Sequence, residues 1–204
     1  MPENAGEGTR SPLNLVVLAL LYEAPMHPYR MHTLIRERGK DRVVNVRSRN
    51  SVQQTVGRLE REGLIAASGT EQAGRYPQRT VYEITARGCS ELLGSLHRLL
   101  STPAREFPLF PAALSYMAIV TTSTAAELLR QRRAELAETV ARTAETTRRA
   151  AEALPRIHLI EDEYAVAMGE AEIAWIDRTL GEIASGELDW DPERLIERAR
   201  RDEH

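Results

Sequence analysis

Residues 50–65 read NSVQQTVGRLEREGLI, and the segments on either side of them decide the fold. Upstream lie LNLVVLALLYE (13–23) and MHPYRMHTLIRERG (26–39), where apolar residues recur at helical spacing. Downstream, LIAASGTEQAGRYPQRTVYEIT (64–85) has the pattern of strand, turn and strand, and ARGCSELL (86–93) opens another helix. Three helices, a hairpin and a helix in this order are typical of a winged helix-turn-helix, which places one helix in a DNA groove.

The chain has 204 residues, and a group of prolines at 103, 108 and 111 separates two halves of different composition. We therefore expect a mainly α protein, in which an N-terminal winged helix-turn-helix with a two-stranded wing precedes an all-helical dimerisation domain. The predicted segments are a disordered lead-in (1–11), the winged helix-turn-helix domain (12–102), a helical dimerisation domain that is also a candidate effector domain (103–186) and a C-terminal tail (187–204).

The lengths of the apolar runs and the cysteine content indicate where in the cell the protein is expected. The longest apolar run, residues 15–21, is far shorter than a membrane span, and residues 1–11 contain no apolar stretch typical of a signal peptide. With a single cysteine, Cys89, no internal disulfide is possible. We therefore expect a cytoplasmic protein without membrane association, in which Cys89 is a buried small residue rather than a redox sensor.

The two halves carry opposite net charges. Residues 1–102 hold 14 basic and 10 acidic side chains, a net charge of +4, whereas residues 103–204 hold 13 and 20, a net charge of −7. Because affinity for phosphate depends on local positive charge, the total of −3 does not exclude a protein that binds DNA through its N-terminal half.

The segment from Asn50 to Glu62 is the predicted recognition helix, with Asn50 or Ser51 as its N-cap. Val52, Val56 and Leu59 recur at spacings of four and three and predict an inward face, which leaves glutamine and arginine side chains on the outside. Glutamine pairs with adenine and arginine with guanine or phosphate, so this face has the groups that base reading needs. The wing tip, GRYPQR (74–79), is basic and suits a flanking phosphate, although a solvated surface turn has the same composition. The residues that this pattern assigns to DNA are Arg47, Arg49, Asn50, Ser51, Gln53, Gln54, Arg58, Arg75, Gln78 and Arg79.

Two long helices are predicted in the second half, from about 123 to 154 and from about 157 to 184. The second helix has two apolar stripes, Ile160–Tyr164–Met168–Ala171–Trp175 and Ile173–Ile176–Leu180–Ile183. Since two stripes imply burial on both sides, a second subunit is the simplest cover, and a symmetric dimer suits a palindromic operator. The residues assigned to dimerisation are Leu129, Leu136, Val140, Ile173, Ile176, Leu180 and Ile183.

Enzymatic chemistry finds no support in the sequence. The five histidines have no metal-ligand spacing, and neither a phosphate-binding glycine loop nor a nucleophile elbow is present. We therefore expect no catalytic residues, no metal site and no cofactor.

The chain resembles the PadR family of bacterial transcriptional regulators. The resemblance lies in LNLVVLALLYEAPMHPYRM (13–31), QTVGRLEREGLI (54–65) and RYPQRTVYEITARG (75–88), and in the helical second half typical of longer members. The step His27-Pro28-Tyr29 stands where members typically have a His-Gly-Tyr-like step, and Val52-Gln53-Gln54 replaces a Leu-Tyr-Pro-like triplet of the recognition helix. An operator sequence is therefore not inherited with the resemblance.

The resemblance implies a homodimeric regulator, expected to be a repressor, that binds a palindromic operator in double-stranded DNA and is released by a small aromatic or drug-like effector. It places Tyr29 near the DNA backbone, although a tyrosine at the edge of the core fits the sequence equally well. Candidate effector-binding residues are His158, Tyr164, Met168 and Trp175, for which core packing is the competing interpretation. The alternative for the whole chain is a winged-helix adaptor that contacts only proteins.

Overall fold

In the computed structural model, the described residues are 11–44, 46, 49–71, 79–103 and 106–194, apart from the side chains of Arg49 and Glu71. They belong to two units, residues 1–105 and residues 106–204. No helix among the described residues is long and apolar enough to cross a membrane.

The first unit has the predicted order of elements. A short 3-10 turn, Lys40–Arg42, lies between the second and third helices. The elements are α1 (Pro12–Glu23), α2 (Pro28–Glu37), α3 (Arg49–Arg61), β1 (Ile65–Glu71), β2 (Arg79–Ile84) and α4 (Ala86–Ser101). This is a winged helix-turn-helix, as the sequence predicts.

Local chemistry sets the ends of these helices. Pro28 is the first residue of α2, and the Nδ1 atom of His27 accepts a hydrogen bond from the Arg30 N–H at 3.0 Å. Gly39 (φ 63°) ends α2 and Gly63 (φ 69°) ends α3, both in the left-handed conformation that glycine adopts without strain. At the other end of α3 the prediction needs a correction. The helix begins at Arg49, so Asn50 lies inside the first turn and is not the N-cap.

The core of this unit lies between α1, α2, α3 and the base of the wing. Val52, Val56 and Leu59 of α3 are buried, as their spacing predicts. Apolar side chains of α1 and α2, such as Leu18 and Ile35, complete the layer beneath α3. Burial of one face fixes which residues of α3 are left to face solvent.

The wing is an antiparallel pair whose register runs from Ile65–Ile84 to Glu71–Arg79, with an irregularity between Ala67 and Gly69. Its base is tied to the loop before α2, because Met26 and Tyr82 exchange backbone hydrogen bonds of 3.0 and 3.1 Å. The predicted wing-tip contacts Arg75 and Gln78 lie outside the described residues.

The second unit is helical, with α5 (Leu109–Leu114), α6 (Thr122–Ala150) and α7 (Ile160–Ser185). Helices α6 and α7 run antiparallel, since the pairs Arg132–Glu172 and Val140–Gly169 advance along α6 while they retreat along α7. Helix α7 starts later than predicted because Arg156–His158 forms a 3-10 turn.

The segment after α7 returns to the beginning of α6. The Trp190 Nε1–H donates to the Val120 carbonyl oxygen at 2.8 Å, and the Thr122 hydroxyl lies within 3.0 Å of the Trp190 carbonyl oxygen. These bonds fasten the end of the described chain to this helical unit.

Candidate functional site

The exposed face of α3 carries the groups expected to read DNA. Asn50, Gln53 and Gln54 are exposed and Ser51 is half-buried, above the buried valines. Two predicted arginines come just before this face. Both Arg47 and the side chain of Arg49 lie outside the described residues. A row of amide side chains on a supported helix provides hydrogen-bond donors and acceptors for base edges.

A cavity of about 450 Å³ opens beside α3 and joins three elements. Its walls come from the beginning of α2, from one face of α3 and from strand β2. The lining residues are His27, Pro28, Tyr29, Gln53, Val56, Gly57, Arg79, Thr80 and Tyr82. The predicted residues Tyr29, Gln53 and Arg79, which are far apart in the sequence, therefore lie around one concave surface.

Arg79 and Tyr29 are in direct contact. The Arg79 guanidinium lies over the Tyr29 ring, 4.9 Å from its centroid, and the His27 ring lies 6.0 Å from the same ring. A cation over an aromatic face is stabilised by the ring quadrupole, which orients the guanidinium while leaving its N–H groups as donors. This pair places a positive charge and a phenol at the mouth of the cavity, a combination suited to a phosphate.

Tyr82 connects the wing to α3 and was not among the predicted site residues. Burial, together with the nearby charge of Glu60 and a hydrogen bond to it, raises the pKa of Tyr82. The phenol therefore stays protonated and donates to the Glu60 carboxylate, which holds β2 against α3. The alternating pattern of residues in β2 indicated that Tyr82 faces α3, but it did not indicate Glu60 as its partner.

Arg58 occupies a different environment from the glutamines. One of its guanidinium nitrogens donates to Oδ1 of Asn14, a buried residue of α1, and another lies 3.8 Å from the Glu62 carboxylate. The guanidinium is thus engaged in packing α3 on α1, so contact between Arg58 and DNA stays a prediction that these bonds disfavour.

The comparison with protein families bears on this first unit. Residues 17–93 match the model described as "Transcriptional regulator PadR-like family". The chain carries a PadR-like domain. The matched residues run from the middle of α1 through α2, α3 and the wing to the first half of α4.

Solved structures share the fold over most of the chain. Bacillus subtilis PadR in complex with operator DNA is 16% identical, with a TM-score of 0.68 over 84% of this chain and 97% of that chain. Bacillus subtilis PadR in complex with p-coumaric acid is 15% identical, with a TM-score of 0.66 over 84% of this chain and 98% of that chain. The Vibrio cholerae virulence activator AphA is 18% identical, with a TM-score of 0.59 over 85% and 98%. No curated protein matches. At these identities the likeness establishes the fold alone.

Two of the predicted dimerisation residues are buried within the helical unit. Leu129 and Ile176 are 4% and 0% exposed, because α6 and α7 pack against each other through them. Leu136 and Val140 are half-buried beside Gly169 of α7. The half-buried Ile173, Leu180 and Ile183 continue the stripe of Ile176 along α7. Leu129 and Ile176 are thus already buried in the single chain, and the role of this stripe in dimerisation stays a prediction.

The other stripe of α7 is exposed. Ile160, Tyr164 and Met168 are 46%, 68% and 49% exposed, and Ile157, just before the helix, is 67% exposed. Two of the predicted effector residues, Tyr164 and Met168, thus lie on an open apolar surface, which we call the α7 outer stripe (Ile157, Ile160, Tyr164 and Met168). His158 is exposed beside it.

The fourth predicted effector residue, Trp175, is half-buried and makes an edge contact with Phe110, at 6.1 Å between ring centroids and 84° between planes. The Arg132 guanidinium also lies over Phe110, 3.5 Å from the ring centroid. The Arg132 Nε–H donates to the Glu172 carboxylate at 2.6 Å. An apolar cavity of about 270 Å³ opens here. It is lined by Phe110, Ala113, Leu114, Tyr116, Met117, Val120, Ala125, Leu128, Leu129 and Arg132. None of the four predicted effector residues lines this cavity. Five of these ten residues lie in EFPLFPAALSYM (106–117), a segment from which no site residue was predicted.

Proposed function

We propose that the protein is a DNA-binding transcriptional regulator that binds a palindromic operator as a homodimer. The observation that carries the proposal is the surface shared by α3 and the wing. Exposed Gln53, with Gln54 next to it in α3, lines the same cavity as the Arg79–Tyr29 pair, in the half of the chain with a net charge of +4. The match of residues 17–93 to a family of transcriptional regulators supports the same function.

In the proposed complex α3 enters the major groove. Gln53 and Gln54, with Asn50 and Ser51, read base edges, because each amide offers both a donor and an acceptor. Arg47 and Arg49 contact phosphate or guanine, whereas Arg58 stays bound to Asn14 and Glu62. Arg79 at the start of β2, toward the tip of the wing and with Tyr29 under it, holds a backbone phosphate, and Arg75 and Gln78 extend that contact.

The homodimer is proposed to form through the α7 outer stripe. A contiguous apolar surface of this kind marks an interaction site on a soluble protein, and α6 covers the opposite face of α7. Two copies related by a two-fold axis would present two recognition helices to the half-sites of a palindrome.

A small aromatic or drug-like effector is proposed to bind the cavity that includes Phe110. Its walls are apolar, and the Arg132–Glu172 pair supplies polar groups at one side, as in ligand sites with few polar contacts. Bacillus subtilis PadR has been solved with p-coumaric acid, which makes this compound a suitable first probe. Effector binding then releases the protein from DNA and ends repression.

Fluorescence anisotropy tests DNA binding directly. The purified protein is titrated into DNA from upstream of its own gene and into a scrambled duplex, each at two salt concentrations. We expect a preference for the native segment that persists at the higher salt. Absence of binding to either duplex at both salts would favour the protein–protein adaptor instead.

Variants assign the roles. Gln53→Ala and Gln54→Ala are expected to reduce the preference for the native segment, by about tenfold or more for a bidentate contact. Arg79→Ala is expected to weaken binding to both duplexes by the same factor. It should also reduce the slope of log K against log salt concentration by about one. Arg142→Ala removes a positive, exposed side chain from α6 and is the control. An unchanged salt slope for Arg79→Ala refutes the wing contact.

Release and repression need separate measurements. Addition of p-coumaric acid to the protein–DNA complex is expected to lower the anisotropy, and Phe110→Ala is expected to retain DNA binding while losing this response. In transcription reactions on the native segment, the protein is expected to reduce the yield of transcript. An increase in transcript would make the protein an activator.

A further inference from the structure

Gly57 is in the middle of the recognition helix, where glycine is unfavourable. Glycine in a helix interior loses more backbone entropy on folding than alanine does, so a helix gains stability when alanine replaces it. A Cβ atom added at Gly57 would meet no atom of the described residues within 4 Å, and Gly57 has an ordinary helical conformation. Neither packing nor backbone geometry of the folded chain therefore requires glycine at this position.

Other glycines of the chain have such a reason. A Cβ at Gly88 would overlap the Leu64 carbonyl oxygen, and one at Gly169 would overlap Val140. Gly94 of α4 and Gly181 of α7 resemble Gly57 in having open space, but neither lines the cavities described above. Gly57 does line the cavity of about 450 Å³ beside α3. Its open space is thus part of the concave surface opposite Arg79 and Tyr29.

The face of α3 around Gly57 is low in the middle, because no side chain stands between its neighbours. Gln53, Gly57 and Arg61 are spaced four residues apart and share one face of the helix. The exposed Arg61 turns back toward this face, and its Nε–H donates to the Gly57 carbonyl oxygen at 3.1 Å. A polar side chain and a cation therefore flank a position without a side chain, while Arg79 provides a second cation from the wing.

We propose that Gly57 is the point where the sugar–phosphate backbone of one DNA strand makes its closest approach to α3. This inference rests on the proposed function. The missing side chain lets the strand lie against the helix backbone, and the Arg79–Tyr29 pair faces its phosphate across the cavity. The occupant is a DNA backbone because the wall opposite Gly57 carries a cation and a phenol, which suit a phosphate rather than an apolar ligand.

The test compares Gly57→Ala with Gly94→Ala, a matched substitution in another open helical position. Both are expected to raise Tm slightly, by roughly 2 °C, because each replaces an unstrained helical glycine. Gly57→Ala is expected to weaken DNA binding about tenfold, since its methyl group occupies the space of the strand, whereas Gly94→Ala keeps the wild-type Kd. Opposite effects on stability and binding separate this role from a loss of folding.

Four outcomes overturn the inference. Wild-type affinity in Gly57→Ala refutes it while the proposed function stands, whereas failure of the wild-type protein to bind any DNA refutes the proposed function and this inference together. A lower Tm for Gly57→Ala shows that the position is packed within the protein, and the inference fails. A backbone contact also predicts the same fold loss on the native and the scrambled duplex. A loss confined to the native duplex assigns Gly57 to a base edge and overturns the backbone contact.

Discussion

At the scale of single residues, Thr85 and Gly88 join the wing to α4. The Gly88 N–H donates to the Thr85 hydroxyl oxygen at 3.0 Å, and that hydroxyl lies within donating distance of the Gly63 and Leu64 carbonyl oxygens, at 2.9 and 3.1 Å. Gly88 is buried against the Leu64 carbonyl group. The spacing Thr-x-x-Gly therefore has a physical reason. The threonine caps α4, and the glycine lets the first turn of α4 approach the backbone that follows α3.

Gly88→Ala is expected to destabilise the protein by about 2 kcal/mol, because its Cβ would overlap the Leu64 carbonyl oxygen and lie 2.8 Å from Cγ1 of Ile84. Backbone atoms must move to admit it, which a surface rotamer change cannot achieve. Urea unfolding followed by circular dichroism measures the change. Gly94→Ala, in the same helix but in open space, is the control and is expected to stabilise slightly. Equal midpoints for the two variants would contradict this account.

At the scale of elements, periodicity predicts faces better than it predicts contacts. The spacing of Val52, Val56 and Leu59 correctly gives the buried face of α3, because burial of one face repeats with the helical period. The same spacing assigns Arg58 to the outer side. Its engagement with Asn14 is invisible in the sequence, since it depends on how α1 crosses α3. The feature that could have indicated this contact is Asn14, a lone asparagine among the apolar residues of α1.

The C-terminal helices show the same limit. The two stripes of α7 are both real, but the sequence does not say which one α6 covers. The structure covers the Ile176 stripe, because Gly169 lets Val140 of α6 approach the backbone of α7 on that side. The glycine was the feature of α7 that could have indicated the side of close approach.

Gly169→Ala is therefore expected to force α6 and α7 apart and to cost about 1–2 kcal/mol of unfolding free energy, since its Cβ would overlap Cγ2 of Val140. The β-branched valine has little rotamer freedom with which to move aside. Removing its methyl groups in the double variant Gly169→Ala/Val140→Ala is expected to recover part of the loss. A double-mutant cycle from urea unfolding measures this coupling, with Gly181→Ala of the same helix as the control. Additive effects in the cycle would exclude the proposed contact.

The ion pair between α6 and α7 gives the hairpin a dependence on pH. Arg133 Nε and Nη2 lie 2.5 and 3.0 Å from the Asp177 carboxylate, and its hydrogen bonds hold the pKa of Asp177 below its ordinary value of 3.8. A lowered folded-state pKa means that the stabilisation is present above 3.8 and is lost as the pH falls through the lower folded value. Between about pH 5 and about pH 3, the urea midpoint of the wild type is expected to fall more than that of Asp177→Asn. Parallel curves would show that the pair contributes nothing to folding.

At the scale of the whole molecule, the charge difference between the halves coincides with the proposed division of labour, in which the first unit binds DNA and the second forms the dimer. The half with a net charge of +4 holds α3 and the wing, and the half with −7 holds the α7 outer stripe. Both the order of elements in the first unit and the helical nature of the second could be predicted, because each follows from local patterns. The cavity that joins Tyr29, Gln53 and Arg79 could not, because it exists only once α2, α3 and β2 are packed together.

If the α7 outer stripe is the dimer interface, one negative charge in it should separate the subunits. Tyr164→Glu places an unpaired carboxylate where an apolar surface would be desolvated, so we expect a monomer by light scattering. Because Tyr164 is 68% exposed in the single chain, its replacement should leave the melting of the helical hairpin itself largely intact. A monomer engages only one half-site, and its affinity for the native DNA segment should fall by about a hundredfold or more. The matched control, Ala144→Glu, adds the same charge to an exposed position of α6 and should remain dimeric. A dimeric Tyr164→Glu would move the interface elsewhere on the chain, and a monomeric variant with undiminished affinity would show that DNA binding does not require a dimer.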